Sequence, residues 1–97
     1  MSTLLIKNNQ SEMYEENAYF LKVISHPVRL EIINQLNENT LNVNQLSEIL
    51  GIPQSTTSQH LSKMKGLILR SKRNGLEIYY QISNEKVVQI LKILQDI

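Results

Sequence analysis

The chain contains no cysteine, which excludes disulfides, thiolate metal sites and thiol redox sensing. Glycine and proline are scarce, three and two residues, and nowhere cluster into a linker. No internal repeat or low-complexity segment divides the sequence either, so it reads as one domain over residues 1–97. Long apolar runs are missing: near the N-terminus only residues 4–6 are continuously apolar, too short for a signal peptide or a bilayer span. A cytoplasmic protein without membrane contact is expected. Catalytic constellations are missing as well. Ser55 has no base-and-orienter pair to activate it, and no acid/base pair or Gly-rich loop is visible. The expectation is a protein that is not an enzyme and carries no cofactor. A chain of 97 residues can build one core but not two. Without a covalent staple such a core is marginal, and association with a second copy is the remaining source of buried area.

Net charge is only +1, but its distribution is uneven. Residues 1–48 hold Glu12, Glu15, Glu16, Glu31, Glu38 and Glu48 against Lys7, Lys22 and Arg29, a net of −3. Residues 49–76 hold Lys63, Lys65, Arg70, Lys72 and Arg73 with no acid, a net of +5. Residues 77–97 return to −1. A basic block of this kind concentrates positive potential on one part of a fold, as a phosphate backbone requires.

Hydrophobic spacing predicts mainly helix. Ser11 can cap a first helix over residues 11–24, with Tyr14, Ala18 and Leu21 on one stripe. Pro27 suits the first turn of a second helix, where its missing N–H costs nothing. Residues 41–43 read as a short extended piece. Asn44 is placed to cap a third helix, which Gly51 stops. A turn, Gly51-Ile52-Pro53, leads to a fourth helix over about 54–65. There Thr57, Leu61 and Met64 can pack inward, while Ser55, Ser58, Gln59 and Ser62 form another face with no carboxylate and no large apolar residue. Short hydroxyls and amides on such a face can approach base edges. Two short helices joined in this way make a helix-turn-helix, expected over about 44–65.

Beyond Gly66 the periodicity switches to two. Residues 67–72 and 76–82 flank Arg73-Asn74-Gly75, and Asn-Gly is a strong hairpin signal for a type I′ turn. A two-stranded wing over about 67–82 follows, with Ile78, Tyr80 and Ile82 on its core face and a basic tip. Asn84 caps a last helix over 84–96, striped by Val87, Ile90, Leu91, Leu94 and Ile97. This helix and the first are expected to form a dimer interface through Tyr14, Ala18, Leu21, Val87, Ile90, Leu91 and Leu94. The fold class is α+β, mainly α: a winged helix-turn-helix with flanking dimerisation helices.

Three motifs in order, Ser25-His26-Pro27-Val28-Arg29-Leu30-Glu31-Ile32-Ile33, Leu50-Gly51-Ile52-Pro53-Gln54-Ser55-Thr56-Thr57-Ser58-Gln59-His60-Leu61 and Asn74-Gly75-Leu76-Glu77-Ile78-Tyr79-Tyr80, resemble the ArsR/SmtB family of bacterial repressors over roughly residues 17–95. The resemblance implies a homodimer that binds an imperfect inverted repeat in duplex DNA near its own promoter. It places Gln54, Ser55, Ser58 and Gln59 as base readers. Thr56, Ser62, Lys63, Lys65, Arg70, Lys72, Arg73 and Asn74 are then assigned to the DNA backbone and the wing. The abundance of isoleucine, asparagine and lysine suggests an AT-rich genome, and an AT-rich site is expected.

Two departures from the family pattern concern metal. The Cys-Val-Cys-Asp motif of its metal sensors is matched here by Asn42-Val43-Asn44-Gln45. The Asp and His that open the last helix in other sensors are matched by Asn84 and Lys86. Neither site survives, and His26 and His60 alone make a poor transition-metal site. In addition, the stretch from His60 to Gly75 is one residue short, so the recognition helix should end early, at Gly66. Arg29 is expected to pair structurally with Glu31 or Glu48. Control by an unidentified small ligand stays open. A winged-helix module that binds protein instead of DNA is the alternative, but it would favour an apolar or acidic recognition face.

Overall fold

Nothing between residues 2 and 10 breaks a helix, since the stretch has neither glycine nor proline. The computed structural model, which describes residues 2–95 and side-chain surroundings over residues 9–95, accordingly extends α1 over Ser2–Ile24. Ser11 lies inside this helix rather than capping it. The chain then bends at Ser25 and His26 into α2, Pro27–Leu36. The extended His26 is the N-cap: its Nδ1 accepts from the Val28 N–H at 3.0 Å.

The two-residue strand β1, Leu41–Asn42, runs directly into α3, Val43–Leu50. The cap of α3 is Asn42, not Asn44. Its side chain accepts from the Gln45 N–H at 2.8 Å, and the Gln45 side chain accepts from the Asn42 N–H at 2.9 Å. This reciprocal capping box needs an amide or acid three residues beyond the cap, and Gln45 stands at that distance from Asn42. Gly51 ends α3 in the left-handed region, at φ 68°, where a Cβ would be strained. The second helix of the pair, α4, is Gln54–Met64, and Lys65 leaves it in an extended conformation. It stops two residues ahead of Gly66.

The sheet has three strands rather than two. β2, Leu69–Asn74, pairs antiparallel with β3, Glu77–Ile82, from Leu69↔Ile82 to Asn74↔Glu77. β1 pairs with the other side of β3 through Leu41↔Tyr80 and Asn42↔Tyr79, giving the order β1-β3-β2. The register also corrects the turn. The two loop residues are Gly75 and Leu76, with Gly75 at φ 68° and no non-glycine residue at positive φ among those described. Glycine leads the turn, as in type II′, and Asn74 stays in the ladder.

The core gathers Val23 and Ile24 from α1, Ile32, Ile33 and Leu36 from α2, and Leu46 from α3. Leu61 and Met64 of α4, Ile68, Leu69, Tyr80, Val87 and Leu91 complete it. Burying each aliphatic side chain of this size contributes about 1.5–3 kcal/mol. Ile78 does not join Tyr80 and Ile82 inside: it is 38% exposed, because its partner Arg73 lies near the hairpin tip, beyond the reach of the helices. The last helix, α5, is Lys86–Gln95, with the Asn84 side chain accepting from the Lys86 N–H at 3.0 Å. Ile97, the last residue of the expected stripe, is outside the described residues. The fold is thus mainly helical, a winged helix-turn-helix.

Candidate nucleic-acid interface

Three side chains fix how α4 sits. Thr57, Leu61 and Met64 are all fully buried, one above another at helical spacing. The opposite face is therefore turned to solvent, and Ser55, Ser58, Gln59 and Ser62 are all exposed on it. Thr56 is half-buried between the two faces. Gln54, at the start of the helix, is exposed and donates from Nε2 to the Asn44 side-chain oxygen at 2.7 Å. Asn44 thus belongs to this surface, which sequence spacing could not reveal: the two residues are ten positions apart and meet only through the turn. Lys63 and Lys65 stand exposed at the other end of α4.

On the wing, strand alternation sorts the polar side chains. Arg70, Lys72 and Asn74 face the same side as Gln81, Tyr79 and Glu77, their cross-strand partners. The Gln81 side-chain oxygen accepts from the Arg70 guanidinium, at 2.6 Å from Nε and 3.2 Å from Nη2. Lys72, Tyr79, Gln81 and Thr40 border a shallow groove on this side. Arg70, Lys72, Arg73 and Asn74 are all exposed. Leu76, at the tip, is 96% exposed.

Arg29 has a different partner from the carboxylates expected for it. Its Nε donates to Nδ1 of His60 at 3.1 Å, and its Nη1 donates to the Val23 carbonyl at 2.7 Å. One guanidinium therefore ties the end of α1 and the start of α2 to α4. As an acceptor, His60 Nδ1 carries no proton, which places the proton of the neutral ring on Nε2. The His26 ring stands tilted against it, with centroids 4.4 Å apart. Burial holds the His60 pKa below the ordinary 6.5, and the neighbouring His26, Arg29 and Lys63 lower it further. Each histidine thus has Nδ1 committed to an N–H donor, leaving one ring nitrogen apiece.

The residues expected at a dimer interface separate into two groups. Tyr14 and Leu21 are 63% and 51% exposed, Leu94 is 56% exposed, and Ala18 is also exposed. Ile90 is half-buried and borders a groove between α1 and α5, together with Phe20 and Leu21. Val87 and Leu91, by contrast, belong to the core of the domain, where they support the outer surface of α5 instead of forming it. Their positions face α2, against which α5 packs.

A polar-faced second helix and a basic antiparallel wing define a helix-turn-helix regulator. Residues 26–67 match the family model described as bacterial regulatory protein, arsR family, and the chain belongs to that family. It is 52% identical over 84 residues to the transcriptional repressor PagR of Bacillus anthracis, a match covering 86% of this chain and 85% of the repressor. The crystal structure of that repressor superposes with a TM-score of 0.79, covering 88% of this chain and 99% of the other. The crystal structure of NolR from Sinorhizobium fredii, 34% identical, has a TM-score of 0.83, covering 91% of this chain and 89% of the other. The chain is also 32% identical to the biofilm growth-associated repressor of Xylella fastidiosa, covering 96% of this chain and 82% of that repressor.

Proposed function

We propose that the protein is a homodimeric, sequence-specific regulator in the cytoplasm that binds duplex DNA and represses transcription, including that of its own promoter. One observation carries this reading. The exposed face of α4 offers hydroxyls and amides without a carboxylate, and it ends in Lys63 and Lys65 while the wing adds Arg70, Lys72 and Arg73. Such a helix presents groups matched to base edges, and the cations around it suit phosphates. Gln54, Ser55, Ser58 and Gln59 read bases. Thr56, Ser62, Lys63, Lys65, Arg70, Lys72, Arg73 and Asn74 hold the backbone. The site is an imperfect inverted repeat, and the two-fold symmetry comes from pairing α1 and α5 with those of a second copy. Exposed Tyr14, Leu21 and Leu94 support that pairing, since a small domain gains by covering them.

The same reading assigns the protein no catalytic activity and no metal control. Among the described residues, no group of three or more His, Asp or Glu side chains converges on a point that could hold a metal ion. Also among them, no helix is long and apolar enough to cross a membrane. The experiment is a titration of the purified protein onto a duplex carrying its own upstream region, with a random duplex as competitor. Sedimentation of the free and bound protein is measured alongside. A complex of two chains on one duplex, resistant to random competitor, is the expected result. Equal affinity for both duplexes would overturn the reading.

A further inference from the structure

Where α1, α2 and α4 meet, residues outside the helix-turn-helix and the wing join the end of α4 in one surface. A cleft of about 620 Å³ opens there, bordered by Lys22 and Ser25 from the end of α1 and by Ser62, Lys63 and Lys65 from the end of α4. Arg29 forms part of its wall, held in place by its bonds to His60 and the Val23 carbonyl. Among the described residues, no carboxylate lines the cleft. It lies at the opposite end of α4 from Gln54, which an eleven-residue helix separates by about 16 Å at 1.5 Å per residue. The sequence gives no hint of it, because Lys22 and Arg29 sit in the acidic half of the chain and reach the basic block only through folding.

We propose that this cleft is a further phosphate-binding surface, which takes the DNA backbone as it passes the C-terminal end of the recognition helix, with Lys22 as the ligand supplied from α1. The proposal rests on the DNA-binding reading above and extends its contact surface to a helix outside the motif. Lys22, Arg29, Lys63 and Lys65 gathered around one open cleft raise the local positive potential and so attract an anion. Two serine hydroxyls supply the neutral donors that commonly accompany lysine and arginine at phosphates. The position decides between a small anion and a polymer. Ser62 and Lys63 belong to the helix that presents Ser58 and Gln59, so a duplex seated on that helix continues past the cleft.

The test uses the full chain and two duplexes, its own upstream region and a random sequence, over a range of salt. Lys22→Ala removes one cation from each protomer. It should weaken binding to both duplexes about threefold to tenfold and make the salt slope shallower by about two per dimer, roughly 0.9 for each lost phosphate contact. Lys22→Glu should weaken both further. Lys92→Ala, which removes an exposed cation on α5 away from the cleft, should change neither quantity and so separates a local contact from net charge. Circular dichroism and the thermal midpoint should be unchanged, as Lys22 is exposed. The proposal is overturned if Lys22→Ala and Lys22→Glu bind like the wild type while Lys72→Ala is weakened, or if Lys92→Ala loses as much as Lys22→Ala. A wild-type protein that binds neither duplex would remove the DNA-binding reading, and this cleft with it.

Discussion

Ser47 of α3 and Thr57 of α4 meet inside the helix-turn-helix, with Oγ to Oγ1 at 3.0 Å. Both hydroxyls are buried, and each has one proton to give. Thr57 Oγ1 lies 3.1 Å from the Pro53 carbonyl, and Ser47 Oγ lies 2.8 Å from the Val43 carbonyl. If Thr57 donates to Pro53, Ser47 donates either across to Thr57 or back to Val43. The pair therefore stays satisfied in either state and fixes the spacing of the two helices. Thr57→Val keeps the shape, removes the hydroxyl and leaves Ser47 its carbonyl acceptor. It should cost about 1 kcal/mol. Urea unfolding at unchanged m is the check, and an unshifted midpoint would mean that the bond contributes nothing.

The capping box at the start of α3 gives a second measurable quantity. Asn42→Ala removes the acceptor for the Gln45 N–H and should destabilise the fold by about 0.5–2 kcal/mol. Asn44→Ala, at the neighbouring position that does not cap, should cost less in stability. It should nevertheless weaken DNA binding, because Gln54 loses the oxygen it bonds to. Reversed stabilities for the two variants would return the cap to Asn44.

His60 makes stability depend on pH in a stated direction. Its folded pKa lies below the ordinary 6.5 through burial, then through His26, Arg29 and Lys63. The unfolded chain therefore takes up a proton first. Stability from this group is complete above pH 6.5 and is lost as pH falls from there through the folded value. Protonation also removes the acceptor that Arg29 Nε uses. Unfolding in urea from pH 5 to 7.5 should show a steeper loss on the acid side for the wild type than for His60→Gln. Parallel curves for the two proteins would remove His60 from the explanation.

Base reading and backbone contact separate in a pair of variants. Gln59 is exposed on the polar face of α4 and can bond bidentately to adenine. Gln59→Ala should cost about 1–3 kcal/mol on the specific site and little on random DNA. Lys72→Ala and Arg73→Ala should weaken both duplexes more evenly and flatten the salt dependence. Equal losses on both duplexes for Gln59→Ala would mean that other residues occupy the groove.

Metal ions should leave DNA binding unchanged. Asn42 and Asn84 are engaged as helix caps, amides are weak transition-metal ligands, and a lysine ammonium offers no lone pair. Without unequal binding to two conformations there is no coupling to release DNA. Isotherms with chelator and then with stoichiometric zinc, nickel or cobalt should superimpose. A tenfold change, about 1.4 kcal/mol, reversed by chelation would reveal a site that His26 and His60 would be the first to explain.

What the sequence conveyed well was local. Gly51 between two periodic segments marked the turn of the motif, and the spacing of Thr57, Leu61 and Met64 gave the inward face of α4. What it conveyed poorly depends on partners distant in the chain. β1 is two residues long, too short to show alternation, and is a strand only because Tyr79 and Tyr80 pair with it. Arg29 finds His60 at a separation of 31 residues, which no periodicity announces. The apolar stripe of α5 was legible, but not which members face α2 and which face solvent. From sequence alone the cap of α3 falls at Asn44, whereas the reciprocal bonds with Gln45 place it at Asn42.

The sheet order β1-β3-β2 leaves β2 as an edge strand: beyond Leu69, whose carbonyl accepts from the Gly66 N–H at 2.8 Å, its outer row of backbone groups faces no further strand among the described residues. Such an edge can recruit a strand from another molecule, and exposed lysine or arginine along it opposes that pairing. Arg70, Lys72 and Arg73 all lie on β2, so the cations assigned to phosphate also guard the protein's solubility. Variants that neutralise the wing carry a second liability: a stickier edge, beside the exposed Leu76. Concentrated stocks of a Lys72→Ala, Arg73→Ala double variant should aggregate sooner than the wild type, and bound DNA, by covering the wing, should protect the wild-type protein from the same fate.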